Sequence, residues 1–277
     1  GTREGGRTLG DMAEYEHFED RIGYLSERNQ RCSSLPMFVS ALLPSLVIIV
    51  SAQTADSYLE PYQRNVTDYK DGPSISFPVR PSIVTETDLV IISWVAPSLL
   101  MLTISWLKKT QPKRIFRIFL AFCETAAATF LFVVVGKKVA GSLRPCFIAM
   151  CQWDGIRCHA DPVEVRDSRQ SFPSGHASSS AAGMIFLSHF LHHELQSASS
   201  RTSLSSLFRL MVLAPALVAF LVGIARTITY HHRFEDVIMG FVLGASAATY
   251  MWRSHGLYNM PCSNRELDLS VSLPGPL

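Results

Sequence analysis

Six runs of apolar residues constrain this 277-residue chain more than any other feature. They lie at roughly 35–53, 89–107, 115–136, 177–192, 207–225 and 237–252. A helix needs about 20 mostly apolar residues to cross the hydrocarbon core of a bilayer. Inside that core the backbone must satisfy its own hydrogen bonds, which a helix does within one segment. The runs at 89–107 and 207–225 carry no charge except Arg209 at one edge, which argues against a soluble bundle of unusually apolar helices. The fourth and sixth runs are short, and their small residues (Ala181, Ala182, Gly183, Gly240, Gly244, Ala245, Ser246) suit close helix packing. The expected fold is an all-α integral membrane protein: a bundle of six transmembrane helices over 35–252, flanked by polar tails at 1–34 and 253–277. Met12 offers an alternative start within the first tail. The first apolar run reads as a membrane anchor rather than a cleavable signal peptide.

Orientation comes from the connecting segments. Lys108, Lys109, Lys113 and Arg114 crowd the link 108–114, and dense positive charge marks the cytosolic side. Both tails then lie in the cytosol, and loops 54–88, 137–176 and 226–236 lie on the opposite side. The sequon Asn65-Val66-Thr67 falls in the first of these loops, where glycosylation requires a lumenal or extracellular address. Both signals point to a multi-pass protein of the eukaryotic secretory pathway, in plasma membrane, ER, Golgi or vacuole. Segment 193–206 is Ser-rich and reads as a solvated connector. A net charge of +2, with no basic stripe carrying interleaved aromatics, excludes nucleic acid as a partner. Cys151 and Cys158 sit in loop 137–176 and could close a disulfide in an oxidising compartment. Zinc binding with His159 is the rival use, although no CxxC pair is present.

Three polar blocks beside these runs carry the chemistry. Lys137 and Arg144-Pro145 lie in KKVAGSLRP. A phosphate dianion calls for several positive donors at fixed distance, the arginine as a fork and the lysine as a point charge. Taken alone the pair serves equally as lipid-headgroup anchors at a helix end. Pro173-Ser174-Gly175-His176 leads into the fourth run, where the amides at a helix start can cradle an anion beside His176. An ordinary helix cap by Ser174 is the plainer alternative. The third block, RTITYHHRFED, holds Arg226, His232 and Asp236. At four residues' separation on a helix, Asp236 would meet His232 and fix its tautomer. His231 and Glu235 are offset and expected to face solvent or headgroups. Glu124, in the middle of the third run, has no assignable partner.

The segments KKVAGSLRP, PSGH and RTITYHHRFED together resemble the three-part signature of the lipid phosphate phosphatases, the type-2 phosphatidate phosphatase superfamily. Each spacing agrees, and Pro73-Ser74-Ile75-Ser76-Phe77-Pro78 is similar to the first outer loop of eukaryotic members. One position departs: Ala225 stands where many members have serine, removing a hydroxyl that could contact phosphate. The resemblance implies a metal-independent phosphatase without cofactor, its site at the non-cytosolic helix ends. It implies that Lys137, Arg144, Arg226, the Ser174 hydroxyl and the Gly175 amide hold the phosphate. His232, oriented by Asp236, attacks phosphorus to give a phosphohistidine, and His176 protonates the leaving alkoxide. Implied substrates are phosphatidate, lysophosphatidate, diacylglycerol pyrophosphate and sphingoid-base phosphates. The expected partners are therefore membrane lipid phosphates and the bilayer itself, with a homo-oligomer as an allowed assembly. The rival functions are an isoprenyl- or sugar-phosphate phosphatase or phosphotransferase of the same superfamily, and a non-catalytic membrane scaffold. A transporter fits less well, because the charges lie at helix ends.

Overall fold

The computed structural model describes residues 34–66, 73–199 and 210–260. Residues 1–33 and 261–277 of the expected tails, residues 200–206 of the Ser-rich connector and Thr67 of the sequon lie outside them. The chain divides into two units, 1–44 and 45–277, and everything below concerns the second. The regular elements among the described residues are all helices, with no strand. In order these are α1 (Ser34–Tyr58), α2 (Glu86–Leu107), α3 (Pro112–Ala140), the short α4 (Phe147–Cys151) and α5 (Pro162–Ser168), then α6 (Gly175–Ser199), α7 (Ala214–Ile228) and α8 (Phe234–Ser254). The first four runs and the sixth each sit on one long helix, and residues 214–225 of the fifth lie on the shorter α7. Among the described residues two, α2 and α3, are long and apolar enough to cross a membrane, and α7 is a shorter apolar helix.

Local chemistry sets the boundaries. Thr85 caps α2 by accepting from Asp88 N–H, and the Asp88 carboxylate returns a bond to Thr85 N–H at 3.0 Å. Pro112 occupies the first turn of α3, where its missing N–H costs nothing. Gly141 ends α3 in the left-handed conformation (φ 51°), and a side chain there would collide with the Tyr62 carbonyl.

Helix α6 is the centre of the bundle and packs most extensively on α8, then on α7 and α3. Small residues make this possible. A Cβ on Gly240 would lie 2.5 Å from the Ser174 carbonyl, and one on Gly244 would collide with the Ser178 carbonyl. Near the far end, Phe122, Phe186 and Trp252 pack in sequence, tilted and then edge to face with centroids 5.1 and 5.3 Å apart, inside an apolar core that includes Met101, Ile118 and Phe190. Gly244→Ala should therefore force α6 and α8 apart and cost about 1–3 kcal/mol. Thermal unfolding in detergent should show it as a lower midpoint; an unchanged midpoint would contradict this packing.

Two polar groups are partnered where the sequence suggested otherwise. Glu124 is not isolated: His255 Nε2 lies 2.7 Å from its carboxylate, from a segment outside the apolar runs. Lys108 and Arg114, part of the basic link, converge on the buried Glu194 at 2.8 and 2.5 Å. Lys109 and Lys113 stay exposed. The helix α6 also continues to Ser199, into the expected connector.

Candidate active site

Backbone hydrogen bonds pull the three polar blocks together. Beyond α3, Ser142 O accepts Ser171 N–H at 2.9 Å, and Arg144 N–H donates to Ser168 O at 2.9 Å. Ser174 N–H donates to Asp236 O at 3.0 Å, joining the starts of α6 and α8. Arg226 O accepts N–H from His231 and His232 at 3.1 and 3.3 Å, folding the turn after α7 back over its end. Lys137, Arg144, Gly175, His176, Arg226 and His232 consequently line one cavity of about 700 Å³ at one end of the bundle. Leu89, Val133, Val134 and Met150 supply apolar wall. Ser174 and Asp236 lie behind that wall, buried, and the Ser174 hydroxyl accepts Ala177 N–H at 3.4 Å as a helix cap.

His232 is held differently from the expectation. Its Nδ1 lies 2.7 Å from the Ser171 carbonyl. A carbonyl only accepts, so Nδ1 carries the proton and Nε2 keeps its lone pair. Asp236 Oδ2 is 3.9 Å from Nδ1, beyond hydrogen-bonding reach. That oxygen instead accepts Ser171 Oγ–H at 2.5 Å and Arg233 N–H at 2.9 Å. The geometric reason is that His232 sits in the turn before α8, which begins at Phe234, so helical spacing does not apply to the pair. Ser171 thus stands between carboxylate and imidazole, and sequence spacing gave no sign of it. Burial first, then Arg144, Arg226 and Lys137, push His232 well below its ordinary pKa and keep the ring neutral.

The two arginines are anchored from outside the three blocks. Arg144 donates from Nε to Asp167 O at 2.9 Å and from Nη2 to the Asp167 carboxylate at 2.5 Å. Burial opposes ionisation of Asp167, but Arg144 and then Lys137 outweigh it and hold its pKa down. A guanidinium has five donors, so this pairing still leaves Arg144 N–H groups for an anion. Arg226 Nη1 donates to Ser82 Oγ at 2.5 Å, and its buried Nε has no partner among the described residues. Lys137 Nζ lies against Gly175, 3.9 Å from where a Cβ would stand. His176 Nε2 is 3.2 Å from the Val84 carbonyl and 3.8 Å from the exposed Glu86 carboxylate. Ala225 is buried beside Arg226.

Three other sequence expectations can be placed. His231 does not face solvent: it lines the cavity half-buried, and burial followed by Arg226 and Arg144 brings its pKa down to about 4. Glu235 is exposed. Cys151 and Cys158 form a disulfide with Cα atoms 5.0 Å apart, over a small apolar cluster of Ile75, Leu143 and Phe147. Asn65 is exposed.

An all-helical protein with a cation-walled cavity at one end of its bundle is the class defined so far. Residues 118–259, just over half of the chain, match the PAP2 superfamily, and the chain belongs to that family. It is 28% identical over 218 residues to lipid phosphate phosphatase 1 of Arabidopsis thaliana, covering 75% of this chain and 65% of that protein. It is 30% identical over 225 residues to diacylglycerol pyrophosphate phosphatase 1 of Saccharomyces cerevisiae, covering 75% and 76%. A phospholipid phosphatase-related protein type 1 of Mus musculus is 29% identical over 154 residues, covering 50% and 46%. The chain therefore spans about two thirds of the plant relative and less than half of the mouse one. No solved structure matches it.

Proposed function

We propose that this protein is a metal-independent phosphatase of lipid phosphate monoesters, working through a phosphohistidine. The observation that carries the reading is His232: a neutral imidazole with a bare Nε2, in a cavity walled by Lys137, Arg144 and Arg226. The Nε2 lone pair forms the N–P bond as the P–O bond to the lipid alkoxide breaks, and His176, protonated when the phosphate dianion offsets the surrounding cations, gives its proton to that oxygen. Water then attacks phosphorus, its proton passes to His176, and the N–P pair returns to Nε2. The three cations and the Gly175 amide offset charge on the phosphate oxygens during both transfers. Ser174 supports the turn that presents Gly175. The lysine and arginines do the neutralising that a metal would otherwise do. Relatives named for lipid phosphate and diacylglycerol pyrophosphate favour lipid substrates over isoprenyl or sugar phosphates.

The same reading extends to the membrane. Exposed Leu46, Val47 and Val50 on α1, Leu217, Phe220 and Leu221 on α7, and Ile238, Met239 and Val242 on α8 support lipid contact by these helices as well as by α2 and α3. Six spans over 35–252 then put the cavity on the side opposite the basic link, within reach of outer- or lumenal-leaflet headgroups. Glycosylation at Asn65 and an oxidised Cys151–Cys158 pair suit that side.

The test is phosphate release by purified protein from phosphatidate, lysophosphatidate, diacylglycerol pyrophosphate and sphingoid-base phosphates, against isoprenyl and sugar phosphates. Lipid phosphates should be turned over, and at an undiminished rate in excess EDTA. Loss of activity that Mg²⁺ restores would overturn the metal-independent mechanism, and inactivity across the panel would favour a scaffold.

A further inference from the structure

The segment just before α2 touches both the proposed acid and one of the proposed phosphate cations, the acid through the Val84 carbonyl and the cation through the Ser82 hydroxyl. Ser82 Oγ accepts from Arg226 Nη1 at 2.5 Å and donates to the Val84 carbonyl at 2.6 Å. The same Val84 carbonyl receives His176 Nε2–H at 3.2 Å. A continuous chain therefore runs from guanidinium to hydroxyl to carbonyl to imidazole, joining residues 144 and 92 positions apart in sequence. Val84 itself is fixed by its neighbour, since Thr85 is locked to Asp88 as the cap of α2. Ser82 and Val84 both line the cavity. Of the three polar blocks, none contains any of these residues.

We infer that Ser82 is a positioning residue of the proposed reaction, setting Arg226 and the His176 ring against the same phosphate. The inference rests on the phosphatase reading above. Two consequences separate. The hold on Arg226 acts on the phosphoryl group, which every substrate shares. The hold on His176, through Val84 O, acts on proton delivery to the leaving oxygen. An alkoxide needs that proton; a nitrophenolate leaves without it. The ratio of kcat/KM for an alkyl phosphate to that for an aryl phosphate cancels the first effect and isolates the second.

The experiment measures kcat/KM for dioctanoyl phosphatidate and for para-nitrophenyl phosphate in detergent-solubilised wild type, Ser82→Ala, Ser82→Thr and His176→Ala. Ser82→Ala should lower the alkyl-to-aryl ratio about 10-fold, with His176→Ala lowering it further, by on the order of 10²-fold. Ser82→Thr, which keeps the hydroxyl, should restore most of the ratio. Equal losses on both substrates, or no change, would overturn the inference, because a general structural defect does not discriminate between leaving groups. A wild type inactive on both substrates overturns the phosphatase reading and this one with it. An active wild type with an unmoved ratio overturns this one alone.

Discussion

Replacing His232 with alanine should lower phosphate release on the order of 10⁴-fold or more. Phosphate monoesters hydrolyse so slowly unaided that enzymatic accelerations reach about 10²¹-fold. No one group supplies that, but a covalent route fails completely without its nucleophile. The geometry singles out this ring among the cavity histidines. His232 alone has a proton fixed on Nδ1 by a buried carbonyl, which leaves Nε2 free to attack. His176 is bonded through Nε2 to Val84 O, and His231 through Nδ1 to the Thr229 hydroxyl at 3.0 Å. Because burial and three neighbouring cations depress its pKa, His232 stays neutral on acidification through the ordinary histidine range and requires no separate base. The variant should still bind phosphate, since Lys137, Arg144 and Arg226 remain. A radiolabelled substrate should mark the wild-type protein with an acid-labile, alkali-stable phosphoryl group and leave His232→Ala unlabelled. Undiminished turnover by the variant would end the covalent mechanism.

The sequence carried the helical architecture well, because a run of apolar residues at helical length has few other uses. Five of the six runs each lie on one helix and most of the fifth lies on α7, while Gly240 and Gly244 of α8 lie where its backbone meets that of α6. The polar blocks were also legible, as residue types whose spacing suits one anion. What the sequence could not show is how those blocks are supported. Ser171, Ser82, Val84 and Asp167 act through backbone carbonyls, or as ordinary polar side chains in loops and on the short α5, and nothing in their spacing predicts which partner they meet. The pairing of Asp236 with His232 shows the difference. Four residues' separation suggests a shared helical face, but the helix starts only after the histidine, and the intervening space is filled by a loop arriving from 61 residues earlier. Glu124 looked isolated for a similar reason: its partner His255 follows α8, beyond the last apolar run.

That difference makes Asp236 and Ser171 the most informative pair to alter together. Asp236→Asn should lower turnover on the order of 10²- to 10⁴-fold, in line with carboxylates that orient a reacting imidazole elsewhere. The route of the loss is specific to this site. The carboxylate accepts from Ser171 Oγ–H and Arg233 N–H, while His232 is bonded to the Ser171 carbonyl. One oxygen, Oδ2, accepts both bonds, so an asparagine either replaces that charged acceptor with a weaker neutral one or, rotated, turns its NH₂ toward both donors. The Ser171 peptide then loses its tether, and the carbonyl that fixes the His232 tautomer moves with it. Ser171→Ala, which retains that carbonyl but cuts the tether, should cost roughly 10-fold and should add little to Asp236→Asn, because groups acting in series do not contribute independently. A carboxylate bonded straight to the imidazole would give the opposite pattern: Ser171→Ala would be silent alone. The Ser171→Ala rate by itself therefore decides whether the carboxylate reaches the nucleophile through the serine or past it.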